Sequence, residues 1–302
     1  MVIKNYNPDI RHRGSMSANP ISSAPLIGAS YMSFAMLMGA GIDISVKALA
    51  ADYATAQIVL LRAVMAVPLV LVICHFQGGL KALATPKWGW QLYRGLLTAG
   101  ANFGFFYGLA HIPLVNAVLL AYIAPVLIVL LARPLLGERV GLHRWLGVLI
   151  AFAGVLVVLQ PNRFELHPAA LAILGSSFCW ALLSLSNRRL AGIVSTGVLT
   201  FYTLPVSALL AGMLTAGAWQ SPAPVDWFLF TILGICGGLA HLFVAMAYRR
   251  APAGVVAPFE YTTLLWTALA GYLFWNEQPS SWVWIGGVAV IVGGYVALRA
   301  RD

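Results

Sequence analysis

Long apolar runs separated by short polar connections dominate the chain from Leu26 onwards. A helix needs about 20 apolar residues to cross the hydrocarbon core of a bilayer, and ten such runs fit before Arg299. The predicted spans are 26–46, 57–76, 90–109, 113–132, 141–159, 168–190, 196–217, 226–247, 252–274 and 279–299. Because these runs are continuous and do not alternate with polar residues, they predict an all-α integral membrane protein with ten transmembrane helices, and not a β-barrel.

The composition leaves no room for a soluble domain. Of the 302 residues, 61% are hydrophobic and 9% are charged, whereas a soluble domain carries about 25% charged residues. Residues 1–25 contain several prolines and serines without helical periodicity, so they predict a disordered cytosolic tail. A cleaved signal peptide is the alternative, but the first apolar run is too long for one and lacks a small-residue cleavage site.

The net charge of +9 comes from 18 Lys and Arg residues against 9 Asp and Glu. In a soluble protein this excess would suggest a nucleic-acid partner, but basic residues also mark the cytoplasmic ends of membrane helices. If both termini are cytoplasmic, one side of the membrane holds Lys4, Arg11, Arg13, Lys81, Lys87, Arg94, Arg133, Arg139, Arg144, Arg188, Arg189, Arg249, Arg250, Arg299 and Arg301. Only Lys47 and Arg163 lie on the other side, and Arg62 lies within a span. The distribution therefore predicts cytoplasmic termini and no nucleic-acid partner.

An internal repeat relates the two halves of the chain at an offset of 139 residues. Several landmarks coincide under this offset: Trp88 with Trp227, Gly95 with Gly234, Pro113 with Pro252, Tyr122 with Tyr261, Glu138 with Glu277, Trp145 with Trp284, Gly147 with Gly286, and Gly154 with Gly293. The two repeats are predicted at 26–160 and 168–299, and Glu138 and Glu277 are predicted to order the loops that follow spans 4 and 9. Chance would not place so many uncommon residues in register.

Each repeat holds five spans, so the second copy must enter the membrane from the opposite side. The loop charges agree, because the loop between spans 4 and 5 contains Arg133, Arg139 and Arg144 while its equivalent at 276–278 has no basic residue. Inverted repeats are typical of secondary transporters, in which the substrate binds near the midplane between the two repeats. The pattern therefore predicts transport by alternating access.

The motifs around the middle of each repeat resemble a known family. The first half contains Ala124-Pro125-Val126, Leu135-Leu136-Gly137-Glu138-Arg139, Trp145-Leu146-Gly147 and Ala153-Gly154-Val155; the second contains Ala257-Pro258-Phe259-Glu260-Tyr261, Phe274-Trp275-Asn276-Glu277-Gln278-Pro279, Trp284-Ile285-Gly286-Gly287 and Gly293-Gly294. Over 26–299 the chain resembles EamA-type members of the drug/metabolite transporter superfamily. The resemblance implies two five-helix EamA repeats that move small metabolites, often amino acids and often outward, across a bacterial inner membrane. Arg62 matches a basic residue common in the family, whereas the second half has Phe201 at the equivalent position.

Few ionisable residues lie inside the spans, and each is a candidate functional residue because burying it in lipid is costly. Glu260 lies eight residues into span 9, about 12 Å from its inner end and near the middle of the core. Thr263 lies on the same helix face, so this polar stripe is predicted to line a cavity. His241 in span 8 is predicted to lie at the same depth as Glu260, and the repeat places Asn102 at the position equivalent to His241.

Further candidates come from the other spans. Trp180 lies on a polar face of span 6 with Ser184, which favours a place in the cavity lining over an anchor at the membrane surface. Tyr261 is an additional candidate for substrate binding, although aromatic residues in spans usually pack. Asp43 and Arg62 lie at similar predicted depth and are predicted to form a structural ion pair; the alternative is that Arg62 extends to the headgroups.

Glu260 with His241 is predicted to couple transport to protons. The alternatives are that Glu260 stays ionised and binds an ammonium group of the substrate, or stays protonated without coupling, and that His241 is a buried neutral imidazole. The first functional prediction is export of amino acids or related compounds, and the alternative is import of a vitamin or nucleoside-like metabolite. An intramembrane enzyme or a channel is disfavoured, because the sequence has no nucleophile with its base, metal-ligand cluster or filter motif. We therefore expect no catalytic residue, metal or cofactor, and either a monomer or a homodimer.

Overall fold

A computed structural model describes residues 23–50, 52–84, 87–111, 120–159, 168–215, 217–275, 278 and 280–300. Its α-helices are α1 Ser23–Leu49, α2 Thr55–Gly78, α3 Trp88–His111, α4 Ala124–Leu136, α5 Leu142–Leu159, α6 Pro168–Leu190, α7 Thr196–Phe201, α8 Leu204–Thr215, α9 Asp226–Arg250, α10 Ala253–Val256, α11 Thr263–Trp275 and α12 Ser281–Arg299. Two 3₁₀ helices span Leu80–Leu83 and Ala257–Thr262. Residues 1–22 of the predicted tail lie outside the described residues. Within the described ranges there is no β-strand element, which confirms the all-α prediction.

Six segments are long and apolar enough to cross a membrane on their own. They are Ala24–Val46, Thr55–Gly78, Pro168–Leu190, Thr196–Thr215, Asp226–Arg250 and Ser281–Arg299, and two shorter apolar helices are Ala124–Leu136 and Leu142–Val158. Large apolar side chains such as Leu171 and Met213 are 65% and 70% exposed. A water-soluble surface rarely carries so many exposed apolar groups, so these faces contact lipid. The protein is therefore an integral membrane protein.

Three of the predicted spans are interrupted within the described residues. Span 7 divides into α7 and α8 at a turn over 202–203, just before Pro205. Span 9 divides into α10, the 3₁₀ helix Ala257–Thr262 that contains Pro258, and α11. Proline lacks a backbone N–H and its ring clashes with the preceding turn, which explains an interruption at each of these points. In span 4 a turn at 122–123 likewise precedes Pro125.

The contact between α5 and α12 demonstrates the inverted repeat directly. A Cβ added at Gly147 would meet the carbonyl of Gly293, and one added at Gly154 would meet the carbonyl of Gly286. The helices therefore run antiparallel with their backbones touching. The 139-residue offset equates Gly147 with Gly286 and Gly154 with Gly293. The repeat operation therefore converts the contact of Gly147 with Gly293 into the contact of Gly286 with Gly154. Such a self-complementary contact is what a two-fold axis produces.

The remaining helix pairs follow the same symmetry. Helix α1 packs along α9, with Gly41 against Cys236 at one end and Gly28 against Ala251 at the other. Its counterpart is the packing of α3 along α6, where Gly104 lies against Ser176. Small residues allow such close approach between membrane helices. Each repeat therefore packs mainly against the other one.

Candidate functional site

Glu260, a buried carboxylate, lies where α6, α9 and the 3₁₀ helix of span 9 meet. Its side chain is 5% exposed. Its Oε2 accepts a hydrogen bond from the indole Nε1 of Trp180 at 3.0 Å, and its Oε1 accepts one from the hydroxyl of Tyr248 at 3.0 Å. Hydrogen bonds to an ionised acceptor are about twice as strong as neutral ones. The two donors come from two different helices and fix the carboxylate in one orientation.

The local sequence explains how this carboxylate is presented. Pro258 cannot continue the α-helical hydrogen-bond pattern, and Glu260 lies in the 3₁₀ helix that results. Thr263, a predicted site residue, donates from its Oγ1 to the backbone carbonyl of Glu260 at 3.1 Å. Thr263 therefore stabilises the interruption and does not reach the carboxylate through any hydrogen bond that the described residues show. Its role in substrate binding stays a prediction.

His241, the predicted partner of Glu260, does not contact it directly. The described residues show Trp180 between them, with the ring centroids of Trp180 and His241 5.9 Å apart. The described residues show no hydrogen bond between His241 and Glu260, and their coupling stays a prediction. The second direct partner is Tyr248, which is fully buried and lies seven residues after His241 on the same face of α9.

A second polar cluster surrounds a small cavity on the other side of His241. The cavity has room for about one water molecule in this conformation and lies between α2, α3, α8 and α9; its lining is Arg62, Ala63, Ala66, Thr98, Thr203, Leu204, Ser207, Gly237 and His241. Gly237 leaves room for the aliphatic stem of Arg62, since a Cβ there would be 3.3 Å from the arginine Cγ.

The predicted ion pair between Asp43 and Arg62 is not formed. Both residues are described, and the ion pair that the described residues do show is one between Arg188 and Glu138. Asp43 is exposed on α1, whereas Arg62 lies against Gly237 of α9 and lines the cavity. Equal depth on neighbouring helices did not bring the side chains together, because depth leaves the rotation of each helix undetermined.

The other two predicted residues have different surroundings. Asn102 on α3 is partly buried, and its side-chain Nδ2 has no hydrogen-bond partner among the described residues. Tyr261 is fully buried, and its hydroxyl donates to the backbone carbonyl of Tyr122 at 3.1 Å. Since the repeat equates Tyr122 with Tyr261, this contact lies at the symmetric interface between the repeats. Tyr261 is therefore a packing residue in this conformation, and its hydroxyl is already used.

Two polar interactions, one buried and one partly buried, were not predicted as part of the site. Arg94, assigned to a helix end on charge grounds, is 1% exposed and donates to Ser186 Oγ at 2.5 Å and to the carbonyl of Leu199 at 2.9 Å. Glu138 accepts from Arg188 Nε at 2.6 Å and from the backbone N–H of Ala253 at 3.0 Å. Glu138 thus ties α6 to the start of span 9, which agrees with its predicted role in ordering a loop.

Comparisons with known proteins agree with this architecture. The sequence profile of the EamA-like transporter family matches residues 26–160 and 167–299. The chain is 31% identical over 223 residues to a riboflavin transporter of Rhizobium johnstonii, covering 73% of this chain and 74% of that protein. It is 30% identical over 259 residues to a pseudopaline exporter of Pseudomonas aeruginosa, covering 85% and 90%.

Two more distant similarities extend the comparison. The chain is 27% identical over 213 residues to an S-adenosylmethionine uptake transporter of Rickettsia prowazekii, covering 70% of this chain and 72% of that protein. A solved crystal structure that is 24% identical superposes with a TM-score of 0.77 over 92% of this chain and 96% of that one, which supports the fold. The relatives are transporters and not enzymes, and both halves of the chain match one family profile. The protein therefore belongs to the EamA-like transporter family of small-molecule transporters.

Proposed function

We propose that the protein is an alternating-access transporter that exports amino acids or related amine-bearing metabolites, and that Glu260 receives their amino group. The observation that carries this proposal is the Glu260 carboxylate, which is buried among spans and has no basic partner among the described residues. An ionised carboxylate offers about four acceptor positions, and the two hydrogen bonds from Trp180 and Tyr248 leave some of them free. A substrate ammonium group would supply the missing charge.

The same carboxylate supports coupling to protons. A carboxylate in a membrane interior is costly unless a cation or a proton neutralises it. We infer that Glu260 exchanges a proton for the substrate amine as the cavity opens to each side, with His241 responding through Trp180. In liposomes with an imposed pH gradient, Glu260→Gln should lose the stimulation that the gradient gives the parent protein. Equal stimulation of both proteins would exclude coupling through Glu260.

The orientation and location belong to the same proposal. We infer that both termini face the cytoplasm and that the protein resides in a bacterial inner membrane, which the loop charges and the bacterial sources of the relatives support. A cysteine introduced at Gln278 should then react with an impermeant maleimide added outside the cell, while one at Arg139 should not. The reverse labelling pattern would overturn the orientation.

Import of a vitamin or nucleoside-like metabolite is the second candidate. The named cargoes of two relatives, riboflavin and S-adenosylmethionine, each contain a flat heteroaromatic ring. Trp180 and His241 both keep part of their surface accessible beside Glu260, and flat rings stack favourably on aromatic side chains. A substrate of this class would use the rings for affinity and the carboxylate for orientation.

Counterflow in proteoliposomes distinguishes the two candidates. Vesicles loaded with an unlabelled amino acid, riboflavin or S-adenosylmethionine are diluted into the corresponding labelled compound, and accumulation of label is measured. We expect accumulation with amine-bearing substrates, its loss in Glu260→Gln, and its retention in the control Asp52→Asn, which alters an exposed loop carboxylate. Accumulation of riboflavin alone, insensitive to Glu260→Gln, would contradict the proposal and favour the second candidate.

A further inference from the structure

We propose that the cavity beside His241 is a second subsite that binds a carboxylate of the substrate, with Arg62 as its cation and Ser207 as its hydroxyl donor. This inference rests on the proposed function, because it identifies the substrate as a zwitterion whose amino group reaches Glu260. It also specifies the shape of that zwitterion. The sequence alone showed no charged pair for such a substrate.

The first argument is the charge of the cavity. Arg62 lines it, and the described residues place no carboxylate in ion-pairing contact with this guanidinium. Its stem lies along Gly237, so the side chain enters the space between α2 and α9. An arginine within a span is costly unless an anion or water compensates it. A guanidinium also matches a carboxylate in a two-point hydrogen-bonded geometry.

The second argument is independent of charge. Ser207 is 3% exposed and lines the cavity, yet its Oγ has no hydrogen-bond partner among the described residues. Buried polar atoms are almost always hydrogen-bonded, so such an atom indicates a missing partner. The two threonines of the lining differ from it, because Thr98 donates to the carbonyl of Arg94 and Thr203 to that of Thr200. Ser207 is thus the hydroxyl group left to donate to a bound anion.

Arg94 adds to the positive field near this cavity. It lies one helical turn from Thr98, and its guanidinium is held by Ser186 and Leu199. Its Nε has no hydrogen-bond partner among the described residues. Because these contacts do not neutralise the arginine, Arg94 adds a second cation near the cavity that Arg62 lines. An anionic substrate group is the complement that this arrangement requires.

The third argument links the two subsites. His241 lines the cavity, its ring lies 5.9 Å from that of Trp180, and Trp180 in turn donates to Glu260. One substrate could therefore place its amino group at Glu260 and its carboxylate at Arg62. An indole and an imidazole ring stand between these ends. The amino and carboxylate groups must then be several bonds apart, unlike those of a simple α-amino acid.

Four probes of similar size test this inference by competition for counterflow and by ligand-induced thermal stabilisation. The full probe is 6-aminohexanoate, 6-aminohexanamide lacks the negative charge, and 6-hydroxyhexanoate lacks the amine. The isomer 2-aminohexanoate keeps both groups but places them on adjacent atoms. We expect 6-aminohexanoate to bind at least about tenfold more tightly than the amide and the isomer, as a charge-assisted pair would give.

Substitutions then assign the effect to the cavity. Arg62→Gln should reduce the preference for 6-aminohexanoate over the amide to near unity while leaving binding of the amide intact. Ser207→Ala should reduce the preference in part, and it provides a readout if Arg62→Gln does not fold. The matched control Ser30→Ala changes an exposed serine on α1 that bonds only within its own helix, and it should leave the preference unchanged.

Several outcomes would overturn the inference. Equal binding of 6-aminohexanoate and its amide by the parent protein would exclude a carboxylate subsite. A preference that survives both Arg62→Gln and Ser207→Ala would place the anion elsewhere. If the exchanged pair Asp43→Arg with Arg62→Asp restored function lost in both single variants, Arg62 would be an ion-pair residue in another conformation and not a ligand.

The experiment also separates this inference from the proposed function. If the amine-bearing probes bind equally to the parent and to Glu260→Gln, the proposed role of Glu260 fails. Binding of 6-hydroxyhexanoate, which has no amine, would still report on the cavity through its loss in Arg62→Gln. If the amide binds well and depends on Glu260 while the carboxylate adds nothing, the proposed function stands and the second subsite fails.

Discussion

Replacing Gly293 by alanine tests whether the backbone contact between α5 and α12 holds the two repeats together. A Cβ at this position would lie 2.4 Å from the carbonyl oxygen of Gly147 and 2.8 Å from the backbone nitrogen of Ala151. Both neighbours are backbone atoms of a helix, so no side chain can rotate away. The two helices would have to separate to accommodate a single methyl group.

The magnitude follows from the geometry of the contact. A methyl carbon packs favourably at about 3.5 Å from neighbouring heavy atoms, so the two helices would have to move apart. A gap of about 0.5–1 Å between the other packed atoms already loses about a quarter to a half of their dispersion energy. The separation at Gly293 would also loosen the symmetric contact of Gly154 with Gly286. Forcing extra carbon into a packed interior typically costs about 1–3 kcal/mol. We expect Gly293→Ala to fall in that range, which corresponds to a drop in Tm of about 2–10 °C.

The assay is thermal unfolding of the purified protein in detergent, followed by circular dichroism. Gly175→Ala is the matched control, because it adds the same methyl group to the interior of α6 where nothing lies within 4 Å. Alanine favours a helix over glycine by up to about 1 kcal/mol, so the control should be neutral or slightly more stable. If Gly293→Ala unfolds at the same temperature as Gly175→Ala, close backbone packing does not hold the repeats together.

Three further changes have defined outcomes. Trp180→Phe keeps a ring but removes the N–H that binds Glu260, so counterflow of amine-bearing substrates should fall about tenfold or more, while the exposed control Trp284→Phe should retain it. Glu138→Gln keeps an acceptor for the backbone N–H of Ala253 but loses the ion pair with Arg188. It should lower the free energy of unfolding by about 1–2 kcal/mol in thermal unfolding. An unchanged unfolding temperature would contradict the role of Glu138 in holding α6 to the start of span 9. The hydrogen bond that Tyr53 donates to Asp226 raises the pKa of Tyr53 above its usual 10.0, so the folded state keeps this proton longer than the unfolded state. The extra stability of the parent over Tyr53→Phe should therefore be complete below pH 10 and decline as the pH rises further, and a difference that grows above pH 10 would refute the assignment.

The sequence predicts the scaffold well because the scaffold depends on local and periodic features. Apolar length predicts spans, and the offset that pairs Gly147 with Gly286 reappears in the structure as the symmetric contact of α5 with α12. Glycines and prolines have local effects, because glycine permits close approach of two backbones and proline interrupts a helix. Pro205 and Pro258 accordingly lie where spans 7 and 9 are interrupted.

The side-chain partners could not be predicted in the same way. Counting residues from a hairpin gives the depth of a backbone position, but it gives neither the rotation of the helix nor the reach of a side chain. His241 and Glu260 were matched by depth, whereas Tyr248 reaches the carboxylate with its hydroxyl from nearer the hairpin. Arg62 and Asp43 were matched by depth in the same way, whereas the side chain of Arg62 lines a cavity together with residues of α9. Only contacts between distant parts of the chain decide such pairs.

The chemistry of the site breaks the symmetry of the scaffold. Under the 139-residue offset, the equivalent of Glu260 is Ala121, that of Arg62 is Phe201, and that of His241 is Asn102. Both repeats therefore share the helix packing that allows them to rock against each other, but only one of them supplies each charged group. A site with symmetric charges could hold two equivalent substrates, whereas the proposed site, with one carboxylate and one arginine, is a single directed one. In the proposed mechanism, the symmetric packing provides the alternation of access, and the asymmetric residues select one substrate per cycle.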